Sequence, residues 1–557
     1  MKRYNILWFT LIGIVLLGIF LRFYKLGSIP IALNRDEASL GYNAYSILKT
    51  GHDEHGVRLP LNFQSFGDWK LGGYIYALVP FISIFGLSEW SVKLPSALAG
   101  VFQIIVGFFI VLELSRNEKS KYKYSLAIIV ALFIAISPWS VKLSRVAYEA
   151  NLAQLLFLSG FLLSLRALTK QKITLQTIVG FLLIILSMAT YHAYQVFVPL
   201  FFLTLCVFYW SELLKIFQKQ KSHSILTLIG SFVLVAFVFG SSTFSANSVK
   251  FSGLSAFEDK PYIASIFSER QLFPEVNGVL SKLSSNFFYS KFRTISGNVG
   301  QAFSINFLFM NGGSHGSHDI SGLGNMHLYE FIFVLFGIVL FIKQSKKWQL
   351  LILTWILVAT IPALITLESA HTIRSSAALL PLEILSAAGL LQIIQLLLNT
   401  KNKYLSYLIG GSLGAMVIFV LIRAVALYFF IAPQRDTDNF HWEMKEISLY
   451  LLNNKDKYKT IYYPEPFNSP YIYSLFYWQY PPEELQEFVS YYPEDGGGFV
   501  NAKQLENIYF PIEKVSKFDG NSLCIVGTQR GESANPSLTN RFSLREFTYN
   551  EGCVYLN

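Results

Sequence analysis

Charge is scarce in this sequence. Of 557 residues only 14% are charged, while 53% are apolar and 16% aromatic, and the mean hydropathy is +0.42. Soluble domains carry nearer about a quarter charged residues. A soluble enzyme of this length would therefore lack the polar surface its domains need, and the same composition excludes disorder, collagen and coiled coil. Cysteine is almost absent as well. Three residues are too few for a disulfide scaffold or a Cys-based zinc site. Cys206 lies in an apolar run and reads as a small core residue. Cys524 and Cys553 share the tail and are either a disulfide, if the tail is extracytoplasmic, or two buried thiols. No Walker A loop, dinucleotide fingerprint or Gly-x-Ser-x-Gly elbow occurs, which argues against a nucleotide-driven pump.

What the sequence does have is apolar runs of about 17–25 residues, enough to cross a hydrocarbon core. They fall near residues 6–21, 92–114, 124–139, 150–167, 173–190, 195–214, 225–243, 327–342, 349–366, 375–397 and 405–431, and they predict an all-α polytopic membrane protein with eleven spans. The first run follows Lys2-Arg3 and has no small-residue cleavage site after it, so it reads as a retained helix rather than a signal peptide. Net charge is uneven: residues 1–432 hold 34 Lys+Arg against 18 Asp+Glu, residues 433–557 hold 11 against 17. The basic residues gather in short alternate connections, such as Arg116, Lys119, Lys121 and Lys123, or Lys343, Lys346 and Lys347. This is the positive-inside pattern of cytoplasmic loops, not a nucleic-acid surface.

The same parity puts the long segments outside: a first outer loop 22–91, a large outer loop 244–326 and the tail 433–557. The chain then divides into a membrane domain, 1–432, and a C-terminal extracytoplasmic domain, 433–557. Alternating runs at 459–463 and 522–527 give the tail an α/β or mixed character. Residues 71–87 are apolar enough to span, but spanning would turn every basic loop outward. They read instead as an interfacial or re-entrant segment, broken at Gly72-Gly73 and Pro80.

Ionisable groups at a membrane face are candidates for function. Asn34-Arg35-Asp36-Glu37-Ala38 places two carboxylates just ahead of an amphipathic helix at 38–48. Asp36 is either a first-turn or capping residue or a general base at the outer face. Lys70, in Asp68-Trp69-Lys70, is either a snorkelling lysine or a point charge for a phosphate. Arg145, before Tyr148, and Arg374, after His371, also fall outside, as does Tyr191-His192. With Lys70 and Asp36, the two arginines would make an anion pocket beside a base. His52-Asp53-Glu54-His55 and His315-Gly316-Ser317-His318-Asp319 have metal-ligand residue types, but not the spacing of a helical zinc motif. Their glycines favour solvated loops.

In order along the chain stand Arg35-Asp36-Glu37-Ala38, Gly51-x-Asp53-x-x-Gly56, Pro60, Asp68-x-Lys70, Lys93-Leu94-Pro95-Ser96-Ala97-Leu98-Ala99-Gly100, Ser144-Arg145-x-Ala147-Tyr148-Glu149, Tyr191-His192-Ala193-Tyr194 and His371-x-x-Arg374. This set resembles the GT-C glycosyltransferases, and among them is most similar to the protein O-mannosyltransferase and aminoarabinose transferase group. The likeness runs from about residue 5 to 432. It implies a GT-C fold and transfer of a sugar from a polyprenyl-phosphate donor to an acceptor hydroxyl on a protein, lipid or glycan. The reaction would occur at the outer face of the plasma membrane, with inversion. It implies Asp36 as base, Glu37 beside it, and Lys70, Arg145 and Arg374 on the donor phosphate. Asp68, Tyr148, Tyr191, His192 and His371 follow as substrate-binding candidates. No cofactor and no obligatory metal are expected. Two departures stand out: Arg35 adjoins Asp36 and would depress its pKa, and the Lys70 segment reads Asp-Trp-Lys-Leu-Gly instead of the commoner acidic-Lys-Pro. The alternatives are a lipid-linked-sugar flippase, which usually shows paired broken helices, and an O-antigen ligase-like transferase centred on the large outer loop.

Overall fold

The computed structural model describes residues 2–66, 68–222, 230, 234–236, 240, 259–272, 278, 282–283, 285–464, 469–494, 500–512, 521–527 and 542–547. It is that of an integral membrane protein, mostly helical, with a small mixed sheet near its C-terminus. Among the described residues six helices are long and apolar enough to cross a bilayer, and eight if two bent pairs each count as one span. The run expected at 225–243 lies largely outside the described residues. The runs at 173–190 and 327–342 are helices of 14 and 15 residues. Contacts gather the chain into two units: 1–24 with 96–432, and 25–95 with 433–557.

In the first unit the apolar runs become α1 (Lys2–Phe23), α4 (Glu89–Leu114, whose N-terminal turns belong to the second unit), α5 (Ser120–Ile136) and α6 (Pro138–Ser144). They continue as α7 (Glu149–Lys170), α8 (Leu175–Met188), α9 (His192–Phe208) and α10 (Trp210–Lys219). Beyond α11 (Asp259–Leu272) and α12 (Phe287–Ala302) come α13 (Glu330–Gln344), α14 (Lys347–Leu364), α15 (Leu379–Asn399) and α16 (Lys403–Ala426). Helices pack closely where glycines face backbone. A Cβ on Gly180 would sit 3.0 Å from the Gly160 carbonyl, and one on Gly389 would meet the Phe333 carbonyl. Small residues at such crossings are what lets apolar helices associate in lipid. Pro138 has no N–H to continue α5, and α6 starts there at an angle of 53°.

Two buried arginines tie the C-terminal ends of α1 and α5 together. Arg22 donates to the carbonyls of Ile134 and Ala135, both at 3.0 Å, and to Ser140 Oγ at 2.7 Å. Arg145 donates to the carbonyls of Leu21 and Arg22, both at 3.0 Å, and of Tyr24 at 2.8 Å. Each guanidinium thus satisfies the orphan carbonyls at a helix C-terminus, where the dipole favours a cation. Gly100 makes room: a Cβ there would collide with Ser144 Oγ and lie 2.6 Å from Arg22 Nε.

The second unit contains α2 (Arg35–Thr50), a hairpin of β1 (Asn62–Ser65) and β2 (Asp68–Leu71), and α3 (Gly72–Phe85). The expected break at Pro80 does not occur, and α3 is continuous. Its 14 residues extend only about 21 Å, short of a full span. From the tail come α17 (Trp442–Asn454), β3 (Thr460–Tyr462), α18 (Pro470–Trp478), α19 (Pro482–Phe488), β4 (Val489–Tyr491), β5 (Ala502–Leu505), β6 (Ile508–Tyr509), β7 (Ser522–Gly527) and β8 (Phe542–Phe547). The sheet order is β4-β5-β6-β3-β7-β8, with β3 parallel to β6 and β7 and the other pairs antiparallel. Ile461, Leu505, Ile508, Leu523 and Ile525 are buried on it. The tail helix α18 packs on α2 at Gly41, where a Cβ would stand 2.7 Å from the Phe476 ring. Cys524 is in a disulfide and Cys206 is free. Cys553 lies outside the described residues.

Candidate functional site

In the second unit the chemistry starts at the first turn of α2. Asn34, not Asp36, is the N-cap. Its Oδ1 accepts the Glu37 N–H at 2.9 Å, and Glu37 Oε2 accepts the Asn34 N–H at 3.0 Å. This reciprocal box fixes the turn and leaves Glu37 buried. Asp36 faces outward, 52% exposed, with its Oδ1 2.9 Å from Lys70 Nζ, which is only 4% exposed. Lys70 is placed by the hairpin, opposite Phe63. At the hairpin turn Phe66 adopts φ +42° and is fully buried. Arg35 Cζ lies 4.4 Å and Lys70 Nζ 4.6 Å from its ring centroid. The ring face thus supports two cations, and the Phe66 N–H donates to Tyr471 Oη of α18 at 3.3 Å. Asp68 is in β2 opposite Ser65; its side chain lies outside those described.

Behind this turn, the loop 52–55 is not solvated. Glu54 is buried, accepting from the Ser65 hydroxyl and from Asn43 Nδ2 at 3.1 Å. Burial pushes its carboxyl above the usual range. Asp53 Oδ1 accepts the backbone N–H groups of His55 at 3.0 Å and Val57 at 2.8 Å, and burial raises this carboxyl too. Asp53 and Glu54 have the local donors that make burial of a carboxyl tolerable, which composition could not reveal.

In the first unit a second polar cluster is formed by three connecting segments, 137–148, 311–327 and 365–375. Lys142, on α6, is 4% exposed and lies 3.1 Å from both Asp319 Oδ1 and Asn325 Oδ1. Thr372 Oγ1 donates to Asp319 Oδ1 at 2.6 Å, and Trp139 Nε1 donates to the Thr372 carbonyl at 3.0 Å. Asp319 is therefore buried and paired, a correction to the solvated loop expected at 315–319. Around it the rings of His315 and His318 stack at 4.3 Å, and His371 lies 5.0 Å from His318. Tyr148 meets His318 edge-on at 5.4 Å and donates to the Ser317 carbonyl at 2.5 Å. The Arg374 N–H donates to His371 Nδ1 at 3.3 Å, and its Nη1 to Thr366 Oγ1 at 3.0 Å. Burial, then Arg374 and the other two imidazoles, hold His371 well below the usual histidine range.

The candidates therefore separate. Asp36 and Lys70 meet in one unit. Tyr148, His371 and Arg374 share a cluster in the other, joined by His315 and His318. Arg145 turns its guanidinium to the end of α1. Tyr191 and His192 open α9, with the Tyr191 ring 6.4 Å from Tyr194. Sequence reading passed over Lys142 and Asn325, flanked by apolar or small residues, and Thr372, a neutral residue between His371 and Arg374. It noticed His315 and His318 but discounted them because of their flanking glycines. Among the described residues no three His, Cys, Asp or Glu side chains are disposed to hold a metal ion.

No family model matches the sequence, and no curated protein matches it. Solved structures do. The chain is similar in structure to GT-C enzymes at low identity. One is the oligosaccharyltransferase AglB of Archaeoglobus fulgidus, in complex with an inhibitory peptide and a dolichol-phosphate. It has 13% identity and a TM-score of 0.46, over 86% of this chain and 64% of that one. Another is ArnT of Cupriavidus metallidurans, at 12% identity and TM-score 0.47 in the apo state, over 84% of both chains. Bound to undecaprenyl phosphate, ArnT gives 11% and 0.48, again over 84% of both. The chain spans 64% of the length of the first AglB chain.

Proposed function

We propose that this protein is an inverting membrane glycosyltransferase that moves a sugar from a polyprenyl-phosphate donor to an acceptor hydroxyl on a protein, lipid or glycan. In this reading the chain has eleven spans in the plasma membrane. Residues 1–432 form the catalytic domain, and residues 433–557 an extracytoplasmic one. The observation that carries it is the Asp36–Lys70 pair: a half-exposed carboxylate held at 2.9 Å by a buried lysine, on a helix turn locked by its own capping box. A general base must be accessible and keep its geometry, and the half-exposed, lysine-held Asp36 supports that role. The ordered motifs that resemble the GT-C group add to this.

Asp36 takes the proton of the acceptor hydroxyl as the oxygen attacks the anomeric carbon. The bond from that carbon to the phosphate oxygen breaks, and the phosphate leaves with the electron pair. Glu37 supports Asp36 by fixing the turn. Lys70 and Arg374 stabilise the charge that grows on the leaving phosphate, the largest contribution such a site makes. Arg145, committed to the carbonyls that end α1, serves the donor phosphate by holding that corner; direct contact would require those hydrogen bonds to open. Tyr148, His371, Tyr191, His192 and Asp68 serve substrate binding.

The test is purified protein in lipid nanodiscs with a panel of radiolabelled polyprenyl-phosphate hexoses and pentoses and a membrane-extract acceptor fraction. Sugar-dependent release of polyprenyl phosphate, with label appearing in the acceptor, supports the reading and names the donor. Lipid-linked sugar equilibrating across proteoliposomes without release would replace it with a flippase.

A further inference from the structure

Where α9 meets α10 the chain turns by 84°. α9 has 17 residues, about 25 Å, which nearly accounts for the thickness of a hydrocarbon core. With α9 as a span, the 10 residues of α10 run nearly parallel to the bilayer plane. Both ends of α10 are clipped to neighbouring connections. Lys347 Nζ, at the start of α14, lies 2.7 Å from Glu212 Oε1 and 4.2 Å from the Tyr209 ring centroid. Between α7 and α8, the Ile173 N–H donates to Gln220 Oε1 at 2.6 Å, and Gln171 Oε1 accepts from Lys219 Nζ at 3.2 Å. Helical spacing sorts the side chains of α10 into faces. Ile216 is buried against the protein. Trp210, Leu214 and Phe217 are exposed on one side, and Lys215 and Lys219 are exposed on the other. Lys170 and Lys172, beside the clipped connection, are exposed too. The nearby acids are committed: Glu212 to Lys347, and Glu113 to Thr169 Oγ1 at 2.6 Å and Arg116 at 3.5 Å. A surplus of positive charge thus borders an exposed apolar face.

We propose that α10 lies flat in the headgroup layer of the membrane and that Lys170, Lys172, Lys215 and Lys219 hold anionic phospholipid there. The two faces together select this occupant. A short helix with Trp and Phe on one face and lysines on the other sinks its apolar side to the acyl boundary and keeps its ammonium groups among the phosphates. An anionic bilayer supplies both layers at the level where α9 delivers the helix. The connections that clip α10, 170–172 and 343–347, are among the short basic ones. The positive-inside rule sets these against the anionic cytoplasmic leaflet. Each lysine near such a surface strengthens attraction about five-fold. None of these residues takes part in transfer.

The test uses the full-length protein in phosphatidylcholine nanodiscs, with Gln218→Cys on a Cys206→Ala background carrying a fluorophore on the exposed side of α10. Phosphatidylglycerol or phosphatidylcholine with a doxyl quencher near the headgroup is included at equal mole fraction. Both lipids should quench the label, and phosphatidylglycerol should quench as though enriched locally about five-fold or more. In Lys215→Gln/Lys219→Gln, where glutamine can still bond Gln171, the enrichment should fall to about two-fold or less, with quenching by phosphatidylcholine unchanged. Lys401→Gln/Lys403→Gln, at another basic connection, should leave the enrichment as it was. Equal quenching by the two lipids without the lysine changes, or an enrichment that survives Lys215→Gln/Lys219→Gln, would overturn the proposal. So would an equal loss in Lys401→Gln/Lys403→Gln, which would reduce the preference to the overall charge of that side. A label quenched only from water would put α10 off the bilayer. A label shielded from both lipids and from an aqueous quencher would assign the face to a protein, such as a second copy of this chain. Either result would overturn the proposal.

Discussion

Asp36 and Glu54 are carboxyls in the same segment, 25–95, with opposite surroundings. Asp36 is half exposed beside a lysine, while Glu54 is buried among Ser65, Asn43 and Tyr471. One is available to a substrate, and the other holds the hairpin that positions Lys70. Because burial raises the Glu54 pKa, the folded protein binds that proton more tightly than the unfolded chain. The stability this contributes is complete below the ordinary value of 4.5 and is lost as pH rises to the folded value. Glu54→Gln, neutral at every pH and still an acceptor for Ser65 and Asn43, should flatten the fall in apparent Tm as pH rises above 4.5. An unchanged slope would contradict the burial argument. At this scale residue type marks Asp36 and Arg374 as candidates, and no more. It is opaque where a neighbour distant in the chain decides, as for Glu54 and Asp319.

At the level of elements, helix ends decide most of the local geometry. Asn34 takes the cap that the residue types allowed for Asp36, and this frees the Asp36 carboxylate to face outward. Arg22 of α1 closes the C-terminus of α5, and Arg145, just after α6, closes that of α1, an arrangement that has no signature in any one segment. Gly100→Ala should test it. The added methyl would press on Ser144 and Arg22, and overpacking of this kind costs about 1–3 kcal/mol. A lowered Tm in detergent, with normal membrane insertion, is expected; an unchanged Tm would mean that the corner is looser than described. Hydropathy marked the apolar runs, because these are dictated by lipid; among the described residues six to eight helices, against eleven expected spans, are long and apolar enough to cross. It read α3 as broken because Gly72, Gly73 and Pro80 interrupt its pattern. The glycines turn out to stand at the start of the helix, and Pro80 is carried within it.

Across the whole molecule, the second unit is assembled from two distant stretches, 25–95 and 433–557. The tail supplies α18, whose Phe476 packs at Gly41 of α2 and whose Tyr471 accepts the Phe66 N–H. A chain ended after Ala432 should leave residues 25–95 open to limited proteolysis and should lose transfer. Protection equal to that of the full chain would contradict this dependence. The sequence indicated a mixed fold in the tail from its alternating strands, but the grouping with residues 25–95 depends on packing between segments hundreds of residues apart.

The most direct measurement is polyprenyl-phosphate release by Asp36→Asn beside wild type in nanodiscs, with donor binding followed in parallel. Asparagine keeps an acceptor for Lys70 and so preserves the pair's geometry while removing the base. Release should fall about 10²–10⁴-fold with donor affinity nearly unchanged. Near-normal release from the Asp36→Asn protein would contradict the assignment of Asp36 as the base.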